Sequence, residues 1–428
     1  MRKCFFLSLL NLLLFVFASH SFASESVQLK IDQAKPGATV YIEEGIYIEP
    51  ISINKSINLI GKGNVVLKNQ TEQPYILIKD TANVHVENIS IEGSDKKTTG
   101  IMVNNSEGVT IKDVQLSSMK KGIELTEVKS SQLHNVIING IEGHFSNKGN
   151  GVTLYNTINI ALSNFHIDSF LDGIYIENDQ GAKILNSQVS NSRYGIHLMY
   201  TRDNEVVQNE LEDNITGIMQ MVTSNTLIKE NLIAHQSDYN GYGLVLFEGE
   251  DATIQDNRFE YNQVGLSLQK VRKSTIKDNV ISGNQTGVQF LNYNSTNLFN
   301  QNQLYGNILS SISGTEGAIV TENFWDDYTG FDMNHDMFGD TPYHSSDSFA
   351  KLINQHQAFQ FFFESPAVTM LNKLEKKLSI DYESVVIDQK PFIQSAEQEG
   401  QISFDKSLFG LSILLIGGGV VLWRRSSS

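Results

Sequence analysis

The chain has 428 residues, 40% of them apolar, with 32 glycines, 6 prolines and a single cysteine, which is enough for one long domain or two ordinary ones. Its 23 phenylalanines and 15 tyrosines, without a collagen-like glycine triplet, exclude a disordered or fibrous chain. Subtracting 48 acidic from 32 basic residues leaves a formal charge of −16, which opposes binding to nucleic acid or acidic polysaccharide.

Residues 1–23 read as a secretory signal: Arg2 and Lys3 start it, Cys4 to Phe17 is apolar, and Ser21-Phe22-Ala23 is a small-x-small cleavage site. Cleavage there removes the only cysteine, which excludes thiol catalysis and cysteine-ligated metal from the exported chain. A soft-metal site would then have to use Met and His. Val27 to Ala34 is expected to form a helix that caps the N-terminal end of the body.

From about Gly37 the chain is a repeat. Glycines at 100, 122, 151, 173, 195, 217, 243, 265 and 287 each precede an apolar-x-apolar pattern or a near variant, and six of the eight steps are 22 residues. The two longer steps place insertions around Gly143 to Asn150 and Asp238 to Tyr242. Eleven residues after each glycine runs an apolar column: Ile111, Leu133, Leu162, Ile184, Val206, Ile228, Ile254, Ile276 and Leu298. Strand alternation turns the first and third residues after each glycine inward and the second and fourth outward. The pattern predicts an all-β right-handed parallel β-helix, a pectin-lyase-like solenoid of 22-residue coils over residues 24–325 with its N-terminal cap. Paired asparagines, Asn186 and Asn191 through Asn302 and Asn307, are expected to stack at the bends.

Past Trp325 the period stops. An Asp-rich closing loop spans 326–347, and a helical segment with a docking role is expected over 348–400, where Ser365-Pro366 offers an N-cap and first-turn proline. Leu408 to Trp423 is apolar and glycine-rich and is closed by Arg424 and Arg425, so 404–428 reads as a membrane anchor. Its length leaves a processed sorting tail and a tight span both open.

The most specific stretch is Asn323-Phe324-Trp325-Asp326-Asp327-Tyr328-Thr329-Gly330-Phe331-Asp332, continued by Gly339-Asp340-Thr341-Pro342-Tyr343 and by Glu364-Ser365-Pro366-Ala367. Together with the coil array and the opening Pro36-Gly37 coil, it resembles the closing signature of the NosD family of periplasmic β-helix accessory proteins. That resemblance covers about Pro36 to Phe392. It implies copper delivery to nitrous oxide reductase, in company with an ABC-type permease and ATPase and a copper-carrying lipoprotein, at the periplasmic face of the inner membrane. The family pattern has glycine where this chain has Met337, and no copper ligand is carried over from it.

The register itself suggests ligands. His197 and Met199 take the outward places after Gly195, and Met219 and Met221 take the same places after Gly217. The four side chains form a square about 4.8 Å by 6.6 Å, within reach of one ion, and Met sulfur with His suits Cu(I). Tyr155, Tyr175, Val245 and Phe247 extend that face, so a Met and aromatic patch that docks a partner is the reading of the same residues that comes ahead of a ligand set, and the two can coexist. Phe361, Phe362, Phe363, Leu371 and Leu374 would add a second docking surface. In the closing loop, Met333, His335 and Met337 form a second Met-x-His-x-Met candidate. It overlaps the oxygen series Asp332, Asn334, Asp336 and Asp340, where calcium competes with a structural Asx-turn loop.

A carbohydrate-active enzyme (lyase, hydrolase or epimerase) is the alternative that the fold class brings. Asp326-Asp327 is the only adjacent aspartate pair, and it lies past the regular coils. The expectation is therefore a non-enzymatic adaptor, with a metal-free scaffold as the other alternative.

Overall fold

The computed structural model describes residues 26–68, 72–93, 98–314, 318–345, 365–367, 370 and 386–393. The signal segment, most of 348–400 and the apolar tail lie outside them, as do Phe361, Phe362, Phe363, Leu371 and Leu374. Pro366 and Ala367 are helical.

The body is an all-β, right-handed-type parallel solenoid of about 13 turns. Each coil contributes one strand to each of three faces. Face I carries the recurring glycines, as in the strands Asp172–Glu177, Tyr194–Met199 and Thr216–Met221. Face II carries strands such as Lys183–Leu185 and Glu205–Val207, and face III strands such as Gln188–Ser190 and Glu210–Glu212. Every strand pairs in parallel with its equivalent one coil away, so Ile174, Ile196, Ile218 and Leu244 stack in line. All four are fully buried. Burying each such side chain contributes about 1.5–3 kcal/mol, and repetition over many coils makes the axis the core.

The open N-terminal end is covered by helix α1 (Val27–Gln33). Ser26 caps it by accepting from the Leu29 N–H, and Val27 and Ile31 are buried against the first coils. Both longer repeat steps are insertions: a 3-10 turn at Phe145–Asn147 and a turn around Asp238 interrupt the strands. Glycine is required on face I by close approach. A Cβ on Gly195 would stand 2.7 Å from the Gly217 carbonyl oxygen, and one on Gly217 the same distance from that of Gly243.

The structure corrects three expectations. Leu298 is 43% exposed, and Phe299 replaces it in the column as the partner of Ile276 because that coil is one residue longer. Asn186 and Asn191 are not ladder members; they occupy left-handed corners with φ of 49° and 52°. The ladder on that bend runs through Asn209, Asn231, Asn257, Asn279, Asn302 and Asn323, each donating its backbone N–H and side-chain amide to the Oδ1 of the next. A second one runs through Asn262, Asn284 and Asn307.

The third concerns the closing region. A strand at Val386–Asp388, within the segment assigned to docking helices, pairs with Ala318–Val320 and Tyr343–His344 and closes the C-terminal end. Asp388 is fully buried and terminates the longer ladder. Its Oδ2 accepts from the Asn323 N–H and amide, both at 2.9 Å, and from the Trp325 indole N–H at 3.0 Å.

Candidate metal and docking face

On the outer side of face I the pairing places His197 directly beside Met219, and Met199 beside Met221. Tyr175 and Glu177 flank the square on one side, Val245 and Phe247 on the other. The four expected side chains are therefore lateral and same-strand neighbours on two adjacent coils.

His197 is the group whose environment departs most from that of a surface residue. It is 7% exposed although it points outward, because Tyr175 and Tyr194 close on its ring edge-on at 5.1 and 4.9 Å. Its Nδ1 lies 3.0 Å from Oδ2 of Asp172, itself 1% exposed. Arg193 clamps the same carboxylate through Nε at 2.9 Å and Nη2 at 2.8 Å, and its guanidinium lies 4.3 Å from the Tyr194 ring centre. In the neutral tautomer whose Nδ1–H donates to Asp172, the lone pair falls on Nε2. That atom is buried and has no hydrogen-bond partner among the described residues.

A carboxylate behind a histidine whose other nitrogen is left free is the usual second layer of a metal-ligating imidazole. Across the pairing His197 has the Met219 thioether on one side and Tyr175 on the other, and a thioether is a soft donor that suits Cu(I). The residues present thus offer a soft donor set of one imidazole and three thioethers on two adjacent coils. Among the described residues no three His, Cys, Asp or Glu side chains gather as a cage.

Sequence reasoning placed His197, Met199, Met219 and Met221 in the register that the pairing has and did not single out Asp172 and Arg193. One signal was readable: from Gly173 on, the place before the glycine holds Asp172, then Tyr194, Thr216, Tyr242, Val264 and Thr286, so Asp172 is the single acid among neutral residues there.

The surrounding face is less uniformly exposed than expected for a docking patch. Tyr155 is 38% exposed and Phe247 half-buried, but Val245 is only 5% exposed. The Tyr175 hydroxyl donates to Glu177 at 2.6 Å; burial first, and then this carboxylate, hold its pKa well above the ordinary phenol value.

In the closing loop the oxygen series is engaged with its own backbone. Asp332 accepts from the Asp336 and Met337 N–H groups, Asn334 from Asp336, Asp336 from Phe338, and Asp340 from Met333. The Asn334 and Asp336 bonds, each from the N–H two residues on, are Asx turns. Met333 and Met337 are 78% and 61% exposed, and His335 is also exposed. Asp326 and Asp327 serve different partners, the Gly306 N–H and the Tyr343 hydroxyl, which accounts for them within the closing fold.

The family model NosD, described as periplasmic copper-binding protein, matches residues 134–330, which include the whole of this face from Tyr155 to Phe247. Among solved structures, the A-modules of the mannuronan C-5 epimerases AlgE6 and AlgE4 of Azotobacter vinelandii are 16% and 17% identical. They cover 69% and 67% of this chain and 88% and 90% of their own, with TM-scores of 0.52 and 0.54. The Dettilon tailspike protein is 12% identical, over 76% of this chain and 70% of its own, with a TM-score of 0.52. These likenesses show a shared solenoid fold. No curated protein matches the sequence.

Proposed function

We propose, from the premise that the coil array belongs to the NosD family, a family of periplasmic copper-binding proteins, that this chain is an exported accessory protein that accepts Cu(I) at His197, Met199, Met219 and Met221. The observation that carries the reading is the buried, unpartnered Nε2 of His197, with its Nδ1 fixed by Asp172 and Met219 as its neighbour across one strand pairing. Asp172 holds the imidazole tautomer and ring orientation, and Arg193 holds Asp172. Met and His bind the ion without a change of oxidation state or a proton on the ligand atom, which suits a site that must also release its cargo.

The destination we propose is copper-centre assembly of nitrous oxide reductase, alongside an ABC-type permease and ATPase and a copper-carrying lipoprotein. The family resemblance supports this. The segment that contains Phe361, Phe362, Phe363, Leu371 and Leu374 would dock on the permease, and the apolar tail at 404–428 would tether the protein to the inner membrane. Among the described residues no helix is long and apolar enough to cross a membrane. The protein has no catalytic step in this reading.

The test is a competition titration of the purified protein with a chromogenic Cu(I) chelator. A Met219→Leu, Met221→Leu double variant keeps apolar volume and removes both sulfurs, so one bound Cu(I) should be lost while the fold is kept. Unchanged affinity would leave the face as a metal-free docking surface, the second reading, which the exposed Tyr155 ring favours.

A further inference from the structure

Buried polar atoms that find no partner are concentrated in one place on the inner side of the solenoid. Gln220 sits on the strand that carries Met219 and Met221 but points the opposite way, and it is 0% exposed. It interrupts an apolar column that reads Ile176, Leu198, Gln220, Leu246, Leu268. Neither its Oε1 nor its Nε2 has a hydrogen-bond partner among the described residues. The same holds for Oγ1 of Thr223 and Thr226, which come next at the corner of the same coil, and for Thr201 Oγ1 and Asn204 Nδ2 in the preceding coil.

These residues are neighbours by pairing. The Ser224 N–H donates to the Thr201 carbonyl and the Leu227 N–H to the Asn204 carbonyl, which puts Thr201 beside Thr223 and Asn204 beside Thr226. All five are at most 4% exposed. The coils on either side close the group off. Toward the N-terminus, Asp179 is satisfied by Thr157 and by the Ala182 N–H. Toward the C-terminus the stations are taken by Gly249, Val271, Ala252 and Ser274, and Leu246 leans across Gly249, where a Cβ would meet its Cδ1 at 2.3 Å.

Six unmet polar atoms on two adjacent coils, if left dry, would each forfeit the hydration of a buried donor or acceptor, more than a fold of ordinary stability tolerates in one spot. We infer that this corner is a built internal hydration site, in which ordered water bridges Gln220, Thr223 and Thr226 to Thr201 and Asn204. The donor and acceptor balance selects the ligand. Three hydroxyls and one amide carbonyl can accept, two amide NH2 groups can only donate, and the group includes no carboxylate. A cation would be repelled by the amides, whereas water both donates and accepts. The site is distinct from the copper face, because Gln220 is on the inner side of the strand whose outer side bears the methionines.

The test pairs thermal unfolding with counting of long-lived internal waters by oxygen-17 relaxation dispersion on the full protein. Gln220→Leu restores the apolar residue of the neighbouring coils, and Thr223→Val is isosteric. With water bridges, each variant loses long-lived waters and melts lower than the parent, since the remaining members of the network lose partners. A rise in Tm in both variants with the water count unchanged would show a dry cluster and overturn the inference. So would an unchanged count with a lowered Tm, or a parent Tm that depends on the choice of sodium or potassium at fixed ionic strength, which would mark a cation site. Cu(I) affinity read on Thr223→Val separates this result from the copper reading, because that side chain does not face the methionines.

Discussion

Replacing Asp172 by Asn tests whether the layer behind His197 supports copper binding. The carboxylate accepts three hydrogen bonds, two from Arg193 at 2.9 and 2.8 Å and one from His197 at 3.0 Å. Asn keeps the shape but has one acceptor oxygen, so its amide NH2 faces at least one of these donors. Arg193 keeps 37% of its side chain exposed and can turn to water, which limits the stability loss to about 1–2 kcal/mol. The imidazole is buried and cannot compensate in that way. Loss of such a carboxylate partner typically weakens metal binding about 10–100-fold, equal to about 1.4–2.7 kcal/mol. The expected result is a Cu(I) dissociation constant raised by at least tenfold in a chain that still unfolds cooperatively. Asp168→Asn is the control, since that carboxylate also accepts three side-chain hydrogen bonds, from Ser169, Ser190 and Asn191, away from the methionine face. Equal Cu(I) affinity in the parent and Asp172→Asn, measured with the same chelator, refutes the supporting role of Asp172.

Three more outcomes are expected from other parts of the fold. Asp388→Ala leaves the Asn323 backbone N–H and the Trp325 indole N–H buried without acceptors, while the Asn323 amide keeps the Phe299 and Thr321 carbonyls, and should cost about 3–5 kcal/mol, read as a lowered urea midpoint; a loss under 1 kcal/mol would show that the ladder needs no carboxylate end. Asp179 is 3% exposed, and burial raises its carboxyl from 3.8 to about 6 despite the Thr157 hydrogen bond. The folded state therefore holds the proton more tightly than the unfolded chain, and stability should fall by up to about 3 kcal/mol as pH rises from about 4 to 6. Asp179→Asn should remove that component and raise stability at neutral pH; a stability–pH curve that keeps the parent's slope contradicts this. Val222 is a β-branched residue at φ of 53°, where equivalent corners of other coils include Asn156, Asn178 and Asn292. Val222→Asn should relieve about 1 kcal/mol of backbone strain and raise Tm, and an unchanged or lower Tm counts against stored strain there.

The repeat alone determined the solenoid, because a 22-residue period with inward apolar places at fixed offsets leaves the chain one way to bury them. It also determined that His197 lies beside Met219 and Met199 beside Met221, since lateral neighbours in a parallel stack are equal places in successive repeats. Where a coil gained one residue the inference slipped, and Phe299 rather than Leu298 entered the core. Asn186 and Asn191 misled for a related reason: asparagine suits both the left-handed corner and the ladder one residue further on, and composition does not separate those stations. The Asp172–Arg193–His197 cluster was decided only by the tertiary structure, because it joins different places of two coils through the rotamers of long side chains. So was the closure by Asp388, which reaches Asn323 across 65 residues of sequence in one non-repeated pairing. Periodicity reports contacts that recur coil after coil, whereas contacts made once depend on where the chain returns in space.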